Sequence, residues 1–404
     1  MICLHSGYLG TDKHLLVGSG GDELSWVSEC PSNIWTWGFE TSSMRIEDVT
    51  RMFRCDPEPL VPEPYRKSAD LIWGESVENI PWKRLLPTQL YSSRLTVLLE
   101  RLQEACQALQ DSGYGIPFRS FSGLVEMLSE ARVDKDLWGR YLTEELNPTN
   151  RSALRTFSPN SRGFAQIPTY DFMHTSTGRA IVRDGPRILT LPAAYRDILV
   201  PSSPENVIVQ IDFVSLEPRV ALCVLGKDSV EADVYRYVAE NAFERNIPRR
   251  QIKIATLCAL YGASSAKLQK MMPGENVIRI INNIKEFFGI KSLISRLRRE
   301  LKENQFLQNH FGRPLFFDDG VGDNVLYSHF IQSTSVDISV MGFCNFIQQV
   351  KDQNMSIRPL FVLHDALICE FSRENVSAIA QICAKGIPVG DLGIFPLELD
   401  KLSM

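Results

Sequence analysis

The 404-residue chain has no apolar run long enough to span a membrane, no Cys-x-x-Cys pair, no internal repeat and no low-complexity tract. The N-terminus also lacks a basic stretch followed by an apolar one, so neither a membrane span nor a signal peptide is expected. That predicts a cytoplasmic protein with no membrane partner. Its nine cysteines are scattered, which predicts reduced thiols and argues against a disulfide framework or a structural zinc site. Net positive charge is missing too. The formal balance is −5, which taken alone argues against a nucleic-acid binder. Distribution matters more than the sum, because a basic groove can coexist with an acidic back. Between Arg279 and Arg313 there are eight Lys and Arg against three Asp and Glu. A solvated helix face accounts for that excess as readily as a phosphate track does.

What is present is ordinary globular material: 44% hydrophobic and 23% charged residues, at a length that accommodates two or three domains. Residues 1 to 85 mix short apolar runs (His14–Val17, Ile34–Trp37) with Gly and Ser clusters, and a Pro-rich stretch from Pro57 to Pro64 reads as a linker. A small N-terminal domain is predicted there. From Arg94 to Gln110, Leu95, Leu98, Leu102, Ala105 and Leu109 recur at helical spacing, and Asp111, Ser112 and Gly113 close the run. Helical pattern continues to about residue 165. Asn206–Ile211 is β-branched and apolar and ends at Asp212, before a long helical region from Leu216 to about Phe311. Two more strand-like runs, Leu360–Leu363 and Leu367–Phe371, flank His364-Asp365, and the tail from Gly393 again reads partly as a strand. The whole predicts an α+β fold, a sheet with helices on one side.

Two aspartates stand at the ends of apolar strands. An Asp in that position is costly unless it is paired or binds a cation. If they converge, Asp212 and Asp365 have the chemistry to hold two divalent metals, one activating a hydroxyl and one stabilising a leaving phosphate. Mg2+, which prefers oxygen ligands and phosphates, suits that role. A turn cap at each position explains the two residues equally well. A second constellation is Arg249, Lys253, Leu257 and Tyr261, four apart along one side of a helix that Gly262 terminates. Its upper end is cationic, apt for a triphosphate, and its lower end offers a ring for stacking. An exposed basic face above a packed Leu and Tyr fits the same spacing.

Six segments, in one order along the chain, resemble motifs of the family A, polymerase I-like, DNA polymerases. Thr177-Gly-Arg179 resembles the Thr-Gly-Arg that precedes the palm. Asp212-Phe-Val-Ser-Leu-Glu-Pro-Arg219 is similar to the first catalytic motif, Asp-Tyr-Ser-Gln-Ile-Glu-Leu-Arg. Arg249-Arg-Gln-Ile-Lys253, continued by Tyr261-Gly262, is similar to the fingers-helix pattern. Phe311-Gly-Arg313 and Gln332-Ser-Thr-Ser-Val-Asp337 resemble two further segments, and Leu363-His-Asp365 resembles the Val-His-Asp of the second catalytic motif. One such match is unremarkable; six collinear ones are not. The likeness covers about 175 to 404 and, more weakly, the helical block before it.

The resemblance implies a right-hand polymerase fold: an antiparallel palm sheet, helical fingers and thumb, and a small N-terminal domain. The implied bounds are 1–85 for that domain (an exonuclease remnant or a docking module), 86–165 for the thumb, 166–219 and 311–404 for the palm, and 220–310 for the fingers. The implied activity is template-directed addition of dNTPs to a primer 3′-hydroxyl, with two Mg2+ ions for which Mn2+ can substitute. Asp212 and Asp365 become metal ligands, assisted by the Phe213 carbonyl. Glu217 lies where the family sets a glutamate against the nucleotide sugar, which favours DNA over RNA synthesis. Arg249 and Lys253 would hold the triphosphate, with Lys253 catalytic, and Tyr261 would guard the template position. Arg179, Arg313, Gln332 and His364 would contact DNA.

Departures accompany the likeness. Leu257 replaces an aromatic residue on the fingers helix, Ala366 a glutamate after the His-Asp, and Tyr235 a phosphate-binding His; Pro218 and Ser333 also differ. The room before the helical block is about half of what an exonuclease domain of 150–200 residues needs, so no proofreading is expected. Primer-template DNA and dNTPs are the implied partners, with a processivity factor, a helicase or a separate exonuclease as further ones, in a bacterial or phage-infected cell. Two other readings stay open: a catalytically weak primer-template-binding subunit, and a single-subunit RNA polymerase, against which Glu217 stands.

Overall fold

The computed structural model describes residues 2–9, 12–17, 24–31, 34–38, 44–55, 61–74, 82–226, 233–243, 247–262 and 265–403. They form two compact units, Met1–Ser122 and Gly123–Met404. The first unit therefore runs well past residue 85 and takes in the long amphipathic helix. Of the Pro-rich stretch expected at Pro57–Pro64, residues 57–60 lie outside the described residues.

Unit 1 opens with β1 (Ile2–Leu4), α1 (Ser6–Leu9), β2 (His14–Val17), β3 (Leu24–Val27) and β4 (Trp35–Trp37). The strands lie in the order β3-β2-β1-β4; β1 pairs antiparallel with β2 and parallel with β4. Helices α2 (Ile46–Met52), α3 (Glu63–Trp73), α4 (Trp82–Leu85) and α5 (Thr88–Asp111) follow. The α5 stripe Leu98, Leu102, Ala105 and Leu109 is buried, as the spacing predicts, and α5 packs with α2 and α4. Helix α6 (Gly115–Glu126) carries the chain across the division between the units.

Unit 2 begins with α7 (Lys135–Glu144) and α8 (Pro148–Arg155). Each is capped by the residue before it: Asp134 accepts the Asp136 and Leu137 N–H groups, and Asn147 those of Thr149 and Asn150. A hairpin, β5 (Thr169–Asp171) with β6 (Ile181–Asp184), and a 3-10 helix (Ala193–Ile198) lead into β7 (Asn206–Phe213). Among the described residues the long helical region holds six helices: α9 (Leu216–Cys223), α10 (Val234–Ala242), α11 (Arg249–Tyr261), α12 (Ser265–Met271), α13 (Val277–Phe287) and α14 (Ile290–Asn304). The short pair β8 (Leu307–Gln308) and β9 (Pro314–Leu315) precedes the 30-residue α15 (Asp323–Asp352). The chain ends through β10 (Ile357–Leu363), β11 (Ala366–Ser372), α16 (Val376–Lys385), β12 (Ile387–Pro388), β13 (Ile394–Phe395) and β14 (Leu397–Ser403).

Four of these strands make one antiparallel sheet in the order β10-β11-β7-β14. The expectation of helices on one side is corrected here: both faces are covered. Ile208, Phe361, Leu363 and Ile368 pack against Leu154, Phe157 and Ile198, with Leu137 and Trp138 of α7 at the margin. On the other face Phe213 meets Phe343 of α15, and α16 packs on β14. Two-sided burial explains why Val207, Ile208, Val209 and Ile211 are apolar without alternation, Gln210 alone interrupting them. The edge of β10 is closed from outside the sheet. The Tyr170 hydroxyl accepts the Val362 N–H at 2.9 Å and donates to the Val362 carbonyl at 3.0 Å, and Ser129 N–H donates to the Pro359 carbonyl at 2.8 Å.

Candidate active site

Asp212 pairs across the ladder with Ala366 on β11 and Glu398 on β14, and Gln210 pairs with Asp400. Directly paired residues share a face, so these side chains stand together at one end of the sheet. The β10–β11 connection is only His364-Asp365. That tightness sets Asp365 beside the end of β7: its carbonyl accepts the Phe213 N–H at 3.1 Å. From α15, Ser339 Oγ donates to the His364 carbonyl at 3.1 Å. Two-residue hairpin loops need positive φ, a place usually taken by glycine. Here His364 takes it, at φ +34°; His is among the side chains better tolerated there, and such strain concentrates at functional sites.

Burial holds the Asp212 carboxyl above the ordinary carboxylate range, and the charges of Asp365, Asp400 and Glu398 push the same way. Against them, Gln210 Nε2 donates to Asp212 Oδ2 at 2.7 Å. Gln210 is itself held by Arg196 of the 3-10 helix, whose Nη1 donates to its Oε1 at 3.0 Å. Among the described residues neither Asp212 nor Asp365 is in an ion pair with a Lys or Arg. Gln210 and, through it, Arg196 offset only part of this negative charge; the remainder is what a divalent cation relieves. No group of three or more His, Cys, Asp or Glu among the described residues is arranged to hold a metal ion by itself. Two carboxylates with a backbone carbonyl nevertheless suit Mg2+, which keeps waters and takes further oxygens from substrate phosphates.

Around this pair stand four more of the residues singled out by the sequence. Arg179 Nη2 lies 3.3 Å from Glu217 Oε1. Burial raises the Glu217 carboxyl, with Asp365 adding to the rise and Arg179 opposing it. Tyr261, at the C-terminal end of α11, lies against Glu217; burial first and the Glu217 charge second raise its phenol. Burial and the neighbouring Arg179 charge lower the His364 imidazole, which is therefore mainly neutral at pH 7.

Helix α11 buries Ile252, Ala255, Thr256, Cys258, Ala259 and Leu260 and leaves Arg249, Lys253, Leu257 and Tyr261 as its less buried stripe. Gly262 stops it at φ +65°. Below the upper end lies Tyr235 of α10, 3% exposed, with Arg249 Cζ 5.4 Å and Lys253 Nζ 5.8 Å from its ring centre. The ring is a floor under both cations. Asp233 caps α10 through Oδ1 and reaches Arg249 Nε through Oδ2 at 2.6 Å.

Two of the expected DNA contacts are placed differently from the rest. Gln332 is half-buried on α15. Arg313, only 4% exposed, donates to Asp337 at 3.0 Å in the interior of unit 2, where Asn309 also reaches Asp337. Its guanidinium occupies the space a side chain at Gly178 would need, 2.4 Å from the ideal Cβ position. Arg313 thus braces the loop that carries Arg179.

The family model for DNA polymerase family A matches residues 143–391, more than half of the chain. The chain belongs to DNA polymerase family A. DNA polymerase I of Geobacillus stearothermophilus is 22% identical over 272 residues, which cover 58% of this chain and 31% of that one. DNA polymerase I of Helicobacter pylori strain J99 is 25% identical over 233 residues, covering 51% and 26%. The chain spans about a third of the length of the curated relatives it matches. A solved structure, the POL domain of Pol1 from M. smegmatis in complex with DNA primer-template and dNTP, matches with a TM-score of 0.64 at 12% identity, covering 96% of this chain and 92% of that chain. The right-hand polymerase fold expected from the motifs is the fold found.

Within this family A frame, sequence reasoning passed over Gln210, Arg196 and Asp233. Gln210 left a signal, a polar residue two before Asp212 on the same strand face. Asp233 was legible as a helix cap but not as the neighbour of Arg249, sixteen residues on.

Proposed function

We propose that this chain is a template-directed DNA polymerase that adds dNTPs to a primer 3′-hydroxyl and has no proofreading of its own. The observation that carries the reading is convergence: one end of the sheet gathers Asp212, Asp365, Glu217 and Arg179, and Tyr261 joins that group to the cationic stripe of α11. Asp212 and Asp365, with the Phe213 carbonyl, would hold two Mg2+ ions, and Mn2+ in their place. Bound there, the ions would supply activation of the hydroxyl and charge stabilisation on the phosphates.

The residues do the remainder. Arg249 and Lys253 bind the triphosphate and neutralise charge as the transition state develops, Lys253 from the turn nearer the reacting end. Glu217, held by Arg179, occupies the side of the sugar and excludes a 2′-hydroxyl. Tyr261 closes the template side, and Leu257 offers an aliphatic wall where the family has a ring. Arg179, Gln332 and His364 touch the primer-template duplex; Arg313 acts from behind the Arg179 loop. Residues 86–165 serve as thumb, 166–219 and 311–404 as palm, and 220–310 as fingers. A processivity factor, helicase or separate exonuclease would come from other chains.

Primer extension tests this reading. With Mg2+, dNTPs should extend a labelled primer and rNTPs should not, and a mismatched primer should not be shortened. Extension with rNTPs alone would defeat the DNA assignment, and trimming would defeat the claim about proofreading.

A further inference from the structure

Arg249 is a triphosphate ligand in the reading above, yet in the structure it already has an anion. Asp233 Oδ2 sits 2.6 Å from its Nε, while Oδ1 accepts the Tyr235 N–H at 3.1 Å and the Arg236 N–H at 3.2 Å. The two halves of this carboxylate do different work, one stabilising α10 and the other occupying a cation. The cation is not buried by this: the Arg249 side chain is 57% exposed, and its Cζ stands 5.4 Å from the Tyr235 ring centre. Burial alone would raise the Asp233 carboxyl, but Arg249 and the two backbone N–H groups together hold it below the ordinary range. Asp233 is therefore charged wherever the protein works at neutral pH.

We propose that Asp233 is a built-in competitor for the nucleotide triphosphate: it parks Arg249 over Tyr235 until an incoming polyphosphate displaces it. This rests on the polymerase reading of α11. The physical consequence has a definite sign. A full negative charge within several ångströms of a polyanion opposes its binding, and the effect is only partly screened at physiological salt. Removing that charge while keeping the cap should tighten binding. Asparagine does this, because Asn caps helices as well as Asp. Lys253, which shares the Tyr235 floor but has no carboxylate partner among the described residues, holds its place throughout.

The test uses inorganic tripolyphosphate, whose binding needs no turnover. By calorimetry, Asp233→Asn should bind it about fivefold more tightly than the parent chain, and the gain should be clearly smaller in an Arg249→Ala background, where only the direct repulsion is relieved and no cation is released. Asp233→Ser, which also caps, should behave like Asp233→Asn. In primer extension the KM for dNTP should fall by a similar factor with kcat little changed. Equal or weaker tripolyphosphate binding by both variants, or no binding by any of the proteins, overturns the proposal. If tripolyphosphate binding shifts as stated but no primer is extended, the polymerase reading fails and the Asp233–Arg249 competition stands. If primers are extended and neither binding nor KM shifts, only the competition fails.

Discussion

Arg313 shows what a single residue can and cannot tell from its neighbours in sequence. Phe311-Gly-Arg313 marks it as part of a motif, and an arginine in a polymerase invites a phosphate contact. Its environment is a buried ion pair with Asp337 and a close approach to Gly178, whose φ of +76° no other residue adopts without strain. Breaking one side of such a pair leaves an unpaired charge in the interior, so Arg313→Ala and Asp337→Ala should each lower stability by about 3–5 kcal/mol. Urea denaturation of the two variants checks this. A loss below about 1 kcal/mol would mean that Arg313 is solvated and free to meet DNA. Asp212, by contrast, stood out by its position, because a carboxylate ending an apolar strand must be compensated, but a turn cap fitted that position too and only the collinear motifs set it apart. What the sequence could not show was the compensation actually present, Arg196 through Gln210, since the two lie on different elements fourteen residues apart.

At the scale of elements, the strand runs 206–211, 360–363 and 367–371 all emerged as strands, extended by a few residues, because β-branched apolar runs buried on both faces have no other stable use. The sheet's second helical cover was not legible. Nothing local announces that the irregular segment between residues 156 and 199 folds onto one face while α15 takes the other. The α15 contact is close: a Cβ on Gly342 would lie 2.5 Å from Phe213 Cζ. Phe213 is also the residue whose N–H holds the Asp365 carbonyl. Gly342→Ala should therefore cost about 1–3 kcal/mol through overpacking, with a fall in extension rate and little change in primer-template affinity. Thermal melting with parallel binding and extension assays separates these. An unchanged melting temperature would show that the ring has room to move.

For the whole molecule, net charge and charge distribution point in opposite directions. A balance of −5 coexists with a groove of about 1210 Å³ on α13, α14 and the start of α15, where Lys285, Lys291, Arg296 and Arg299 outnumber Glu286 and Asp323. If the groove follows a DNA backbone, the double variant Lys291→Ala/Arg299→Ala should bind primer-template with a salt dependence shallower by about two phosphate contacts. A slope equal to that of the parent would return the basic excess to a solvated face. The division into units at Ser122 and Gly123 was out of reach of composition, because α5 has the same amphipathic texture as the helices of unit 2.

Single-nucleotide extension by Asp212→Ala and Asp365→Ala tests whether the two aspartates form the catalytic pair. Each variant should lose extension by at least about three orders of magnitude, with primer-template affinity in Ca2+ within about threefold of the parent. Extension persisting at a tenth of the parent rate in either variant would contradict it.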